Sequence, residues 1–453
     1  MNWRFDRDLL ARVWQLAWPT VVYSLLQTLV GLVDIYMVGR LRPEGTEAIA
    51  AVGFSQQVLM LIMIGALGVN TGTITLVAQF VGADRRDQAG RVAGQALLSM
   101  FALGVAIGVP GLLWARQFLA FLGARGPALV QGTPYLRLML VGSSLMMLNF
   151  AVAFIFRGAG NALTPLKIAL GVNLINVVGN WLFIFGIGPF PRLGVAGAAV
   201  GTLLARAFGA TVGIALLRTG WYRVRLRFGG GAGLVDFSHI RRILNIGLPA
   251  AAQGFFRNGA RVLFFRIVAS SALGTTAAAA LTVGSRLRML TIMPALAFRV
   301  AAAALVGQSI GAKDWEQAEG FGRETVKLCT TIMGPVVMLL FVIAPRVIAV
   351  FSEDAGVIDV GTTMLRFLVV GQFFSAVSIA SSGGLAGAGD TRPPLYYTII
   401  GQWMVMLPLA WLLMKKASLD PEGAWVAFAV APVLQAALTL RRFRSGKWKH
   451  IRV

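Results

Sequence analysis

The sequence predicts an all-α membrane protein, with twelve transmembrane helices in two six-helix lobes that repeat in the same direction. Three observations predict it. The chain of 453 residues is 57% hydrophobic and only 13% charged, where a soluble domain carries about 25% charged residues. Apolar stretches of about 20 residues recur along it, each long enough to cross about 30 Å of hydrocarbon as a helix. The chain also says the same thing twice. VAQFVGADRRDQA at Val77–Ala89 returns 229 residues later as VGQSIGAKDWEQA at Val306–Ala318. Gly158-Ala159-Gly160-Asn161 returns at the same offset as Gly387-Ala388-Gly389-Asp390, and Pro165 returns as Pro394. Ala17-Trp18-Pro19 returns as Gly247-Leu248-Pro249 at an offset of 230. A long apolar chain built from two such halves is the mark of a transporter, whose two bundles rock about a cavity.

The twelve expected spans fall near 13–37, 48–70, 89–114, 133–156, 165–187, 195–218, 243–269, 276–305, 325–350, 362–384, 394–414 and 423–441. An even number puts both termini on one side, and the basic tails choose the cytoplasm of a bacterial inner membrane. Six helices per repeat make the repeats parallel, related by an axis along the membrane normal. The expected organisation is an N-lobe at 1–220, a cytoplasmic linker at 221–242 and a C-lobe at 243–453. The linker holds arginines and Gly229-Gly230-Gly231 and reads as flexible, with a short amphipathic helix near Phe237–Leu244. The polar N-terminus shows no cleavable leader pattern.

Charge and chemistry narrow the function. The net charge of +23 resides in clusters at Met1–Gln15, Asp84–Arg91, Arg218–Arg242, Lys313–Lys327 and Arg441–Val453. That is the distribution of cytoplasmic loops, not of a nucleic-acid site. The one cysteine, Cys329, lies in an apolar segment and reads as a small core residue. His239 and His450 lie in basic stretches, so no Cys/His metal site and no cofactor is expected. The Gly-rich strings lack the Lys-Ser or Lys-Thr of a phosphate loop. An enzyme would need a catalytic constellation, and one deep acid with no embedded histidine does not supply it.

That acid is Asp34, inside Leu29-Val30-Gly31-Leu32-Val33-Asp34-Ile35-Tyr36. An acid in a span is costly and is by default functional. Facing a cavity that opens to alternate sides, it can pick up and release a proton. Glu324 is read as lying close to a loop. Asn173, Asn176 and Asn180 share one face of the fifth span, at spacings of three and four. Thr202 and Asn149 are positioned to join them. Their oxygens suit a hydrogen-bond network around a proton, or a hard cation such as Na⁺ at Asp34, Asn176, Asn180 and Thr202. The same amides also serve as interhelical glue. The seventh and eighth spans instead carry Arg257, Arg261, Arg266, Arg286 and Arg288, with Arg299 further along. Arg266 is the best placed of these to snorkel. Arg257 and Arg261 predict a positive lining in the second lobe, with Tyr36 and Ser375 as further substrate contacts.

Several motifs resemble those of the multidrug and toxic compound extrusion (MATE) transporters, from about residue 10 to 440. Leu305-Val306-Gly307-Gln308-Ser309-Ile310-Gly311-Ala312 is similar to the family's LVGQ-x-x-GA signature. Arg157-Gly158-Ala159-Gly160-Asn161 and Ala386-Gly387-Ala388-Gly389-Asp390 resemble its RG-x-GD-T element, and Leu193–Ala199 its opening of the sixth helix. The resemblance implies a V-shaped pair of lobes and antiport of a cation against an exported organic compound. In the DinF-like branch the coupling acid lies in the first helix, which Asp34 matches. The branch's fifth-helix Asn and Asp fall on Asn176 and Asn180, and its sixth-helix threonine on Thr202. Asn180 thus stands where that branch has an acid. In the NorM-like branch a Glu is expected at Arg257 and an Asp near Ser375, so a C-lobe cation site is not expected.

The expected function is a monomeric antiporter of small organic compounds and drugs in the lipid bilayer. A proton is the simpler coupling ion with one acid present, and Na⁺ the alternative. The alternative cargo is an organic anion, or a lipid-linked anionic precursor moved as by a flippase, held by the C-lobe arginines.

Overall fold

The computed structural model describes residues 6–41, 45–220, 222–228, 234–271, 273–351, 353–415 and 419–451. The first half forms α1 (Arg7–Gly39), α2 (Gly45–Gly82), α3 (Arg86–Phe121), α4 (Gly126–Val141), α5 (Ser143–Gly158), α6 (Leu163–Phe185) and α7 (Val195–Thr219). The second half forms α8 (Phe237–Ala269), α9 (Gly274–Gly311), α10 (Trp315–Val342), α11 (Ala344–Ala349) and α12 (Ala355–Gly387). It continues through α13 (Arg392–Thr398), a π-helical stretch (Ile399–Met406), α14 (Leu407–Lys415) and α15 (Glu422–Arg444). Among the described residues ten helical segments are long and apolar enough to span a membrane. The pair α4 and α5, bent by 48°, makes an eleventh. The 33-residue α8 is the twelfth long helix, and its arginines make it less apolar than the others. The expected span at 133–156 is therefore a broken one, hinged at Gly142, whose φ of −80° and ψ of 5° depart from the helix.

The repeat is visible in the backbone. Asp84 and Lys313, 229 residues apart, are both left-handed, with φ of 53° and 61°, and each ends a long helix before a tight turn. Gly160 and Gly389 repeat the relation with φ of 92° and 83°, a conformation that suits glycine. Two further glycines set helix contacts. A Cβ on Gly158 would lie 3.0 Å from the Ile74 carbonyl oxygen, and one on Gly387 would lie 2.5 Å from that of Ala303. Ile74 and Ala303 are again 229 apart. The glycine motif thus docks α5 on α2 and α12 on α9 at matching points.

The chain forms two compact units, Trp18–Gly247 and Met1–Ala17 with Leu248–Val453. Both divisions fall just before a helix-embedded proline, Pro19 in α1 and Pro249 in α8. These boundaries differ from the sequence division at 220 and 243, because the first turns of each repeat pack with the other half. In the second unit the Arg12 guanidinium lies 5.1 Å from the centre of the Phe321 ring.

The expected flexible linker is packed against α3 where it is described. The Arg227 amide donates to the Gly90 carbonyl at 3.2 Å, and Gly90 and Gly94 approach the backbone of Arg225 and Arg227. Gly229–Gly231 lies outside the described residues. Gln95 accepts from the Asp236 amide at 3.0 Å and donates to the Leu234 carbonyl at 3.1 Å. The Ser238 hydroxyl donates to Asp236 at 2.6 Å and His239 lies 2.7 Å from it, which hold that carboxyl well below the usual range. The expected amphipathic helix near Phe237 is the first part of α8.

Glu324 is not close to a loop. It lies inside α10, 1% exposed, and accepts from Lys327 at 2.7 Å, itself 1% exposed. Removing Lys327 leaves the buried Glu324 carboxylate with the longer 3.5 Å contact to the exposed Arg323 guanidinium, a costly loss for a buried charge. Lys327→Met is expected to cost about 3–5 kcal/mol, and adding Glu324→Gln to recover part of it. Thermal melts of the purified single and double variants check this.

Candidate functional site

The first unit assembles its polar site from α1, α6 and α7. Apolar residues at 3.6-residue spacing bury one face of α6, and Asn176 (3% exposed) and Asn180 (0%) ride on that buried face. Asp34 lies on α1, about one and a half turns before its end at Gly39. The Asn180 side-chain amide donates to Asp34 Oδ1 at 2.6 Å. It also lies 3.4 Å from Asn176 Oδ1, and Asn176 donates to Thr202 Oγ1 at 2.9 Å. Asp34, Asn180, Asn176 and Thr202 therefore form one chain across three helices. Close approach of α6 and α7 makes it possible. A Cβ on Gly201 would meet the Asn180 backbone nitrogen at 2.6 Å.

Other expected members stand apart. Asn149 donates to the Leu145 carbonyl at 2.8 Å and to the Arg206 carbonyl at 2.6 Å, which ties α5 to α7. Asn173 is buried, and its amide nitrogen has no hydrogen-bond partner. Tyr36 is 61% exposed, and its hydroxyl accepts from Arg40 at 2.6 Å. Two residues past Asp34, it lies about 200° round the helix.

Two groups beside the network, and a third packed on Tyr23 of α1, were not read from the sequence. Arg206, one turn beyond Thr202 on α7, is electrostatically coupled to Asp34 and donates to Gln27 of α1 at 3.2 Å. Tyr135 of α4 is buried and also coupled to Asp34. Arg157, 4% exposed, stacks 4.5 Å from the Tyr23 ring centre and 5.5 Å from that of Phe154. Arg206 was findable, since it shares the Thr202 face at a four-residue spacing. Tyr23, Gln27, Asn149, Val172 and Arg206 line a cavity of about 10 Å³, at the lower limit for one water.

Among the described residues the second unit has no such network. At the repeat offset, 230 for α1 and 229 for α6, the counterparts of Asp34, Asn176 and Asn180 are Phe264, Val405 and Leu409. Phe264 lies in a hydrophobic core with Leu407, Ala410 and Ala431. The counterparts of Gln27 and Gly31 are Arg257 and Arg261. Arg257 is coupled to Arg261, Arg288 and Arg299 by like-charge repulsion. Among the described residues none of these four forms an ion pair with a carboxylate. Arg266 is exposed, and the Arg286 side chain lies outside the described residues. Ser375 is half-buried on α12. Trp403, in the π-helical stretch, donates to the Phe256 carbonyl at 2.9 Å and fixes α8 beside these residues. No cluster of three His, Cys, Asp or Glu side chains among the described residues could hold a metal ion.

A repeated set of membrane-length helices with embedded polar groups is the build of a secondary transporter. The chain belongs to the MatE family, whose model matches residues 19–182 and 249–412, two segments offset by the 230 residues of the repeat. It is 28% identical over 96% of its length to the probable multidrug resistance protein NorM of Thermotoga maritima, 92% of which is covered. It is 26% identical over 99% of its length to the probable NorM of Acinetobacter baylyi, 98% of which is covered. A solved MOP superfamily transporter from Pyrococcus furiosus superposes with a TM-score of 0.85 at 25% identity, over 96% of this chain and 95% of that one. That transporter is described as having a binding pocket of reverse polarity that suggests a different function. The chain is thus a multi-pass membrane transporter of this family and not an enzyme.

Proposed function

We propose that this chain exports organic compounds across a bacterial inner membrane, by alternating access, in exchange for protons that bind at Asp34. The family and the multidrug relatives support export, and the basic termini support cytoplasmic ends. A monomer suffices, because both repeats lie in one chain. The observation that carries the coupling reading is the short Asn180 to Asp34 hydrogen bond inside the α1–α6–α7 network. Protonating Asp34 removes the charge that Asn180 serves and alters how α1 is held. Such a change biases two states only as far as the proton prefers one of them.

The surroundings favour H⁺ over Na⁺. A hard cation needs several oxygen ligands. Here Asn180 turns its NH₂ group to the carboxylate, and Asn176 spends its own on Thr202. Arg206 already supplies positive charge. An added Na⁺ would be repelled by it, whereas a proton needs no coordination shell.

Proteoliposomes loaded with ethidium, under an imposed pH gradient or an imposed Na⁺ gradient, test both points. Efflux driven by the pH gradient alone is expected. Efflux driven only by Na⁺ would refute the proton reading. Arg206→Gln is expected to introduce inhibition by Na⁺ at about 0.1 M, where Debye screening leaves a partly buried site exposed to the ion's charge. Wild type and Arg206→Lys should show none.

The charge of the second unit favours a second cargo. Its half-buried arginines do not suit a cation, and the Pyrococcus relative is described as departing from its kin in pocket polarity.

A further inference from the structure

We infer that the second unit holds a binding site for an amphipathic organic anion, built on the repeat counterpart of the Asp34 site with its polarity inverted. The inference rests on the transporter reading above and deepens it by naming a cargo class.

Arg261, Phe264, Phe265, Leu281, Ser285, Arg288, Leu368 and Phe428 border a cavity of about 280 Å³, near the lower size of small-ligand pockets. Three features fit an anion with an aromatic body. First, Arg261 and Arg288 converge on the cavity from α8 and α9, and no described carboxylate neutralises them. Among the described residues Arg261 donates to the Asn258 side chain, at a long 3.4 Å, and Arg288 lies 5.9 Å from the Phe428 ring centre. Two guanidiniums gathered in an apolar bundle repel each other, and an anion between them relieves that repulsion. Guanidinium forks also match carboxylate, sulfonate and phosphate oxygens. Second, Phe264 and Phe428 pack at 5.5 Å between centres and offer an aromatic wall. Ser285 adds one hydroxyl on the same cavity.

The third feature is the repeat. On α1, Gln27 accepts from Arg206 and Asp34 accepts from Asn180, and Gly31 lies between them on the same helix face. On α8 the same positions are Arg257, Arg261 and Phe264. Carboxylate has become phenyl, and neutral positions have become cationic. The two units thus present equivalent surfaces of opposite sign, one that takes up a proton and one that takes up an anion. Arg257 lies outside the cavity lining but adds its charge to Arg261 and Arg288.

Naphthalene-2-sulfonate serves as the probe, with naphthalene-2-sulfonamide as its neutral analogue and a naphthyl-trimethylammonium salt as its cationic one. Titration calorimetry on the full chain in zwitterionic nanodiscs reads binding. The sulfonate is expected to bind at least tenfold more tightly than either analogue. The double variant Arg261→Gln/Arg288→Gln should weaken it at least tenfold. Arg261→Lys/Arg288→Lys should retain most of the affinity, and Arg266→Gln should match wild type. Melting curves report whether each variant is folded. Equal binding of the sulfonamide, or equal binding by the Gln and Lys double variants, would overturn the inference. Asp34→Asn separates the two readings. If it stops proton-driven efflux while sulfonate binding ignores both arginines, the anion site fails and the coupling reading stands. If the arginines control sulfonate binding and Asp34→Asn still couples to the pH gradient, the reverse holds.

Discussion

Asp34→Asn reduces proton-driven efflux to the passive leak and leaves the protein folded. The two side chains have nearly the same shape. The replacing amide still offers an oxygen to the Asn180 NH₂ group that now donates to Asp34 at 2.6 Å. The network through Asn176 and Thr202 therefore keeps its links. Melting temperature should move by no more than the net worth of one hydrogen bond, about 1 kcal/mol. What is lost is the only group of the network that gains and loses a proton, because amides and hydroxyls do not titrate at physiological pH. Coupling is a free energy between two binding events, and it is reciprocal. If protonation weakens cargo affinity by some factor, cargo weakens proton affinity by the same factor. Ethidium added to the detergent-solubilised wild type should therefore release protons into weak buffer, and added to Asp34→Asn should release none. Efflux with unchanged pH dependence in the variant would place the coupling ion elsewhere.

Much of this fold was legible because membranes impose simple rules. Long apolar stretches must be helices, since the backbone has no water to bond to. The repeat was legible because Gly158 and Gly387 have to meet the same carbonyls in both halves. The stripe of Asn176 and Asn180 followed from helical spacing. What stayed hidden depends on packing between helices far apart in sequence. Arg206 reads alone as one arginine in a span, and it gains meaning when α7 packs beside α1 and Gln27 bonds to it. Tyr36 is two residues from Asp34 in sequence but round the helix from it. Glu324 follows a charged stretch and reads as surface, yet Lys327 one turn on lets it be buried. The segment 222–228 has linker composition, and glycines at 90 and 94 of α3 let its backbone lie down on the helix. In each case the missing information was a partner, not a propensity.

Gly201→Ala is expected to damage both the fold and the site, through one methyl group. On α7, Gly201 faces the α6 backbone. A Cβ there would lie 2.6 Å from the Asn180 nitrogen and 2.8 Å from the Gly179 carbonyl carbon. Both are main-chain atoms in a helix, so neither can rotate away. The helices must separate, and overpacking of this kind costs about 1–3 kcal/mol. The opposing gain, from alanine's better helix propensity, is about 0.5–1 kcal/mol and does not compensate. The separation also falls on the residue that holds Asp34. Asn180 moves with its backbone, and a shift of a few tenths of an ångström lengthens a bond that is now 2.6 Å. Gly53→Ala supplies the contrast, because nothing lies within 4 Å of a Cβ at that position. It should leave transport unchanged and hold or raise the melting temperature. Gly201→Ala should lower the melting temperature and reduce coupled efflux more than its loss of folded protein explains. Efflux per folded molecule equal to wild type would mean that Asn180 does not position the coupling acid, and that its bond to Asp34 is interhelical glue.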